Sequence, residues 1–158
     1  MKRWGGQGVE GFSEELPALL VVLVAISLFV ASAAQAYATY GSRQAALRER
    51  ERVESFATMI CADEELAWSG RLGMFHIASL SDSNASASFE SRYNSTIIGF
   101  SYIVTISDQY STDSWAFASG PGYASGEKVR IARACNLFEP GGFVRPAILE
   151  VEAWGMYR

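Results

Sequence analysis

Residue types able to do chemistry are few in this chain, and none stands in a pattern that a reaction needs. The single histidine, His76, would have to serve any serine-histidine-acid arrangement. It falls in a stretch that alternates like a strand, where an imidazole is ordinarily a satisfied structural group. Gly122-Tyr123-Ala124-Ser125-Gly126 departs from the Gly-x-Ser-x-Gly spacing of a nucleophile elbow. Gly126-Glu127-Lys128 lacks the direct Gly-Lys step of a phosphate loop. Both read as turns. Asp82, Asp108 and Asp113 fit no EF-hand spacing and read as solvated loop acids. Two cysteines, Cys61 and Cys135, and one histidine cannot complete a zinc site without carboxylates placed to help. The cysteines suit either a disulfide in an oxidising compartment or two small buried thiols. These residues predict no enzyme, no metal or other cofactor and no small-molecule substrate. The mild net charge of −4 and the scattered basic residues predict no nucleic-acid partner.

The chain is organised around a different feature. Leu16 to Ser42, LPALLVVLVAISLFVASAAQAYATYGS, contains no charged residue. Roughly 20 apolar residues cross a bilayer as a helix, so this run predicts a transmembrane segment. Leu16, Leu19, Leu20, Leu23, Ile26 and Phe29 are its large apolar positions for lipid or helix packing. Pro17 fits the first turn of such a span, where no intrahelical partner waits for its missing N–H. Trp4 before the run and Tyr37 and Tyr40 near its end sit as interfacial aromatics do.

From Arg43 the text becomes amphipathic. Val53, Phe56, Ala57, Ile60 and Cys61 fall on one helical stripe, while Arg50 with Glu54 and Glu49 with Arg52 can pair on the solvated side. One helix over about Leu16 to Ser69 is expected, kinked if anywhere near Gly41 and stopped by Gly70. Trp68, Trp115 and Trp154 read as core or interface anchors. Beyond Gly70 the period changes to two. Thr96 to Ser107 is the best strand, with Arg71–Leu80, Lys128–Phe138, Ala147–Trp154 and a shorter piece at Trp115–Ala118 as further strands. Gly120-Pro121-Gly122 and Pro140-Gly141-Gly142 mark turns, and Ser79 to Ser95 reads as a surface loop. Asn84 and Asn94 in that loop head acceptor sequons for N-glycosylation.

The expected fold is α+β: a long N-terminal helix, apolar in its membrane or bundle half and amphipathic after it, packed on a C-terminal antiparallel sheet. The domain plan is 1–15 leader and flank, 16–42 apolar helix, 43–70 amphipathic helix and 71–158 β-rich domain outside the membrane. Cys61 and Cys135 would then lie on facing elements. Counting Arg43, Arg48, Arg50 and Arg52 against Lys2 and Arg3 would by itself put the C-terminal part in the cytoplasm. The interleaved Glu49, Glu51 and Glu54 and the two sequons favour the outside.

The leader, MKRWGGQGVEGFSEE, carries Lys2 and Arg3, then glycines, then acids immediately before the apolar run. An ordinary secretory signal runs from basic residues straight into its apolar segment, although Ala34-Gln35-Ala36 supplies a small-x-small site for that alternative. Over roughly the first 65 residues the order of basic leader, glycine, acid and apolar helix resembles the class III signal and first helix of type IV pilins and their archaeal relatives. The resemblance implies cleavage after Gly5, making Glu10 fifth in the mature chain, or after Gly11, leaving Glu14 and Glu15 third and fourth. Glu10 and Glu15 are then the candidate assembly acids. It further implies a pilin-like subunit whose partners are the membrane and copies of itself or related subunits. Such a subunit forms a cell-surface filament or a pseudopilus-type complex. The alternative is a single-pass anchor displaying a β-rich interaction domain.

Overall fold

The computed structural model describes residues 10–68, 71–121 and 128–155, with side chains described from Leu16 onward. One helix, α1, runs without a break over Glu10–Cys61. The chain divides into two compact units, Met1–Ala46 and Leu47–Arg158, and α1 contributes to both. Gly41 lies inside the helix with open space where a side chain would stand, and no break occurs there. Because α1 begins at Glu10, Pro17 lies in the helix interior and not in its first turn. The carbonyl one turn earlier therefore loses its N–H partner.

In the second unit α1 is followed by β1 (Met74–His76), α2 (Ile77–Leu80), α3 (Ala85–Arg92), α4 (Ser95–Ile98), β2 (Ser101–Asp108), β3 (Ser114–Ser119), β4 (Val129–Phe138) and β5 (Val144–Trp154). The strands form one five-stranded sheet in the order β1-β4-β5-β2-β3. The fold is α+β. Four strands are antiparallel neighbours, whereas the edge strand β1 pairs parallel to β4, so the sheet is mixed and not antiparallel throughout.

The amphipathic stripe does what its spacing predicts. Val53, Phe56, Ala57 and Ile60 are at most 2% exposed, and Cys61 is buried beside them. They meet the inward row of β2, where Tyr102, Val104 and Ile106 alternate with half-exposed residues, and Leu149, Val151 and Ala153 of β5. Phe56 is the hub: its ring lies 5.7 Å from Tyr93, 5.5 Å from Phe100 and 4.7 Å from Tyr102. Phe89 of α3 stacks on Phe117 of β3 at 4.7 Å and carries the core out to the sheet's far edge. Arg50 and Glu54 pair at 3.2 Å on the exposed side.

Four boundaries differ from expectation. The helix stops at Cys61, short of Ser69. Asp63 N–H bonds Ile60 O at 3.1 Å in a tightened last turn, and Asp63 Oδ1 accepts the N–H groups of Glu65 (2.9 Å) and Leu66 (3.1 Å). A short carboxylate thus takes over donors that a continuing helix would use. Gly70, the expected stop, lies outside the described residues. The chain then turns back on itself: Trp68 N–H reaches Met74 O at 2.7 Å and His76 N–H reaches Leu66 O at 2.9 Å. β1 is therefore held on both edges but only over three residues, and the rest of the expected Arg71–Leu80 strand becomes α2. Thr96 to Ile98 is helical, not extended. Asn94 caps the turn by accepting Thr96 N–H at 2.9 Å, and Gly99, at φ +83°, closes it in the left-handed conformation. The loop expected over Ser79 to Ser95 likewise holds α3.

Gly120 ends β3 at φ +105°, where an added Cβ would stand 2.3 Å from Ser101 Oγ. Only glycine fits that approach. Because Phe56 is buried against Tyr93, Phe100 and Tyr102, Phe56→Ala is expected to destabilise the second unit by roughly 3–5 kcal/mol, read as a lowered urea midpoint of the full-length protein in detergent.

Candidate membrane and assembly surface

Leu16, Leu19, Leu20, Leu23, Ile26 and Phe29 occupy the apolar half of α1, and every one of them is 53–75% exposed. Val21, Val22, Val24, Leu28 and Val30 are exposed as well, so no side of the helix is covered. Covering one such side chain stabilises by roughly 1.5–3 kcal/mol, and the run as a whole exceeds the roughly 5–15 kcal/mol that keeps a domain folded. Water is the wrong neighbour for it. The most apolar 18-residue window has a mean hydropathy of 2.6 and none of it is buried within the chain. This helix is long and apolar enough to cross a membrane.

Three of its hydroxyls turn back onto the helix backbone. Ser27 Oγ donates to Leu23 O at 2.8 Å, Thr39 Oγ1 to Gln35 O at 2.8 Å and Ser42 Oγ to Thr39 O at 2.9 Å. Each hydroxyl is satisfied by its own helix, so none demands water or a partner. Tyr37 and Tyr40 project from the far end, 79% and 66% exposed, with Arg43 next on the helix. The Ala34-Gln35-Ala36 site lies within the continuous helix. Glu10, Gly11 and Glu15 lie in the first turns of α1, their side chains outside the described residues, and Gly5 lies outside them altogether.

The remaining chemistry-bearing residues sit in the second unit. His76 is in β1, half-buried, its ring 5.7 Å from that of Phe138. Asp82 accepts Asn84 N–H at 2.9 Å at the entry to α3. Asn84 is exposed and makes no side-chain capping bond, whereas Asn94 is engaged with Thr96. Among the described residues no group of three His, Cys, Asp or Glu side chains could hold a metal ion. Cys61 and Cys135 are free thiols, both buried in the shared core.

Two buried carboxylates act as structural locks: Asp63, which no sequence motif marked, and Asp108, expected as a solvated loop acid but buried at the end of β2, where its hydrogen-bond donors converge on it. Asp63 accepts from Tyr93 Oη at 2.7 Å and pairs with Arg92 at 3.2 Å, while Arg92 also holds Glu65. Burial and the Asp63 carboxylate push the Tyr93 hydroxyl up to about 12, so it stays a donor. Asp108 accepts the N–H of Tyr110 at 2.8 Å, the Ser111 hydroxyl at 3.2 Å and Arg145 Nη1 at 3.1 Å, and Arg145 reaches on to Glu139. The Tyr110 N–H, with Ser111 and Arg145, holds the Asp108 carboxyl below its ordinary range against the opposing effect of burial. An aspartate just past an apolar stripe is the one signal for Asp63. For Asp108 only the fold reveals the arginine.

No protein-family model, curated protein or solved structure matches this chain.

Asp108 also sets a pH dependence. Its folded pKa is depressed, so its stabilising contribution is complete above the ordinary aspartate range and disappears as pH falls below about 4. Urea midpoints at neutral pH and at about pH 3 are expected to differ less in Asp108→Asn than in the natural chain.

Proposed function

We propose that this chain is a pilin-like structural subunit. It inserts through the apolar half of α1 as a single pass with the sheet unit outside, and then packs helix to helix with copies of itself or related subunits. The product is a cell-surface filament or a pseudopilus-type complex. The observation that carries this reading is the exposure of the large apolar side chains from Leu16 to Val30 on all sides of the helix. Lipid covers such a surface before assembly, and neighbouring helices cover it afterwards. The sequence resemblance to class III signal peptides supports the second step, since that family keeps its apolar helix after cleavage. The role is structural and needs no catalytic residue.

Leu23→Asp and Ile26→Asp place a charge at the middle of the run, at about 2.5–3.5 kcal/mol for insertion. Both variants are expected to leave the membrane fraction and to abolish assembled particles, whereas Gln44→Asp, beyond the run, leaves both intact. Normal particles from Leu23→Asp contradict the proposal.

One observation favours a second reading, a single-pass anchor displaying its β-rich domain. The unit Leu47–Arg158 carries its own core from Val53 to Trp154. Mass spectrometry of the mature N-terminus separates the two. A start at Gly6 or Phe12 supports the subunit, an intact Met1 supports the anchor, and a start at Tyr37 contradicts both in favour of secretion.

A further inference from the structure

The two thiols sit between hydrogen-bonded ties that join the end of α1 to β4. On one side Arg133 Nη1 donates to Thr58 Oγ1 at 2.8 Å. Thr58 is one helical step before Cys61, and Arg133 is two residues before Cys135 on the inward face of β4. On the other side Gly73 N–H bonds Cys61 O at 2.9 Å, and Gly73 O accepts Asn136 N–H at 2.8 Å. A helix step and a strand step bracketed by two ties place Cys61 and Cys135 in the same buried cluster, near enough for Cys61 to act electrostatically on Cys135.

We infer that Cys61 and Cys135 form an intrachain disulfide that fastens the end of α1 to β4 when the second unit meets a disulfide-exchanging oxidant. Cys61 lines a surface pocket of about 440 Å³ with Ala62, Glu64, Trp68, Arg71 and Leu72, so it meets the oxidant first. Its thiolate attacks one sulfur of the oxidant's disulfide and forms a mixed disulfide, and the oxidant's other sulfur departs as a thiolate. Cys135, having given up its proton, then attacks the Cys61 sulfur. The oxidant leaves as two thiols, carrying the two electrons and two protons lost by the cysteines. Burial raises both thiols, Cys135 up to about 12, while Arg133 opposes the rise at Cys61 and favours it as the attacking sulfur.

The test uses the full-length chain in detergent with oxidised glutathione, quenched by an alkylating reagent. The circular dichroism of the folded protein is recorded throughout. The expected product is lighter by two hydrogen atoms, carries no alkyl group at either cysteine, yields one joined Cys61–Cys135 peptide, and melts higher by about 10 °C until a reductant is added. Cys135→Ser is expected to stop at a stable glutathione adduct on Cys61. Two thiols that persist after oxidant, alkylated in the quench or recovered at the mass of the untreated chain, a persistent adduct in the natural chain, or a bond that forms only in urea overturns the inference. Because the assay contains neither a membrane nor an assembly step, its failure leaves the proposed assembly role standing, and a failure of that role leaves this result standing.

Discussion

The constraint on which everything else depends is the apolar surface of α1 between Leu16 and Val30. A soluble protein hides its leucines, isoleucines and phenylalanines inside, yet here they are displayed on all sides of a helix. The free energy of leaving them in water is larger than a domain's net stability. The described residues leave this surface uncovered, and the helix is long and apolar enough to cross a membrane. The hydroxyls of Ser27, Thr39 and Ser42 turn back onto their own backbone, which removes the polar cost of such a cover. Sequence, helix chemistry and the need for a partner form one chain of cause.

The second unit solves a different problem. The same helix changes from apolar all round to a single stripe at Val53, and that stripe supplies one wall of a core whose other wall is the inward row of β2 and β5. Asp63 then ends the helix where the sheet needs the chain to return. Its carboxylate binds the turn at Glu65 and Leu66 and is itself fixed by Arg92 and Tyr93 at the end of α3. One side chain therefore couples helix termination to the position of α3, and through Phe89 to the far edge of the sheet. Asp108 plays the corresponding part at the end of β2, where Arg145 ties it to the β4–β5 turn through Glu139.

What could be read from the sequence followed from periodicity. The change from no period, to 3.6, to two located the apolar run, the stripe from Val53 to Cys61 and the inward face of Tyr102, Val104 and Ile106. The α+β architecture followed from these. Periodicity failed where a single side chain or glycine overrules its neighbours. Thr96, Ile97 and Ile98 have strong strand character, but Asn94 at one end and Gly99 at the other convert them to a helical turn. The parallel pairing of β1 was not legible, because it depends on the 66–68 segment covering the opposite edge. The apolar positions of α1 were legible because a long run without charge shows in the sequence itself. The carboxylate locks were not, since Asp63 and Asp108 find their arginines far along the chain.

The central claim is that Leu16 to Val30 is covered by something other than water in the working state. Accessibility to a water-soluble maleimide measures this directly, using single cysteines placed along α1 of the native membrane-associated or assembled protein, with Cys61 and Cys135 replaced by serine. Labelling is expected to be slow at Leu20→Cys, Val21→Cys, Ile26→Cys and Phe29→Cys alike, which together sample every side of the helix, and fast at Arg48→Cys. Equal and rapid labelling at all of these positions would contradict the claim.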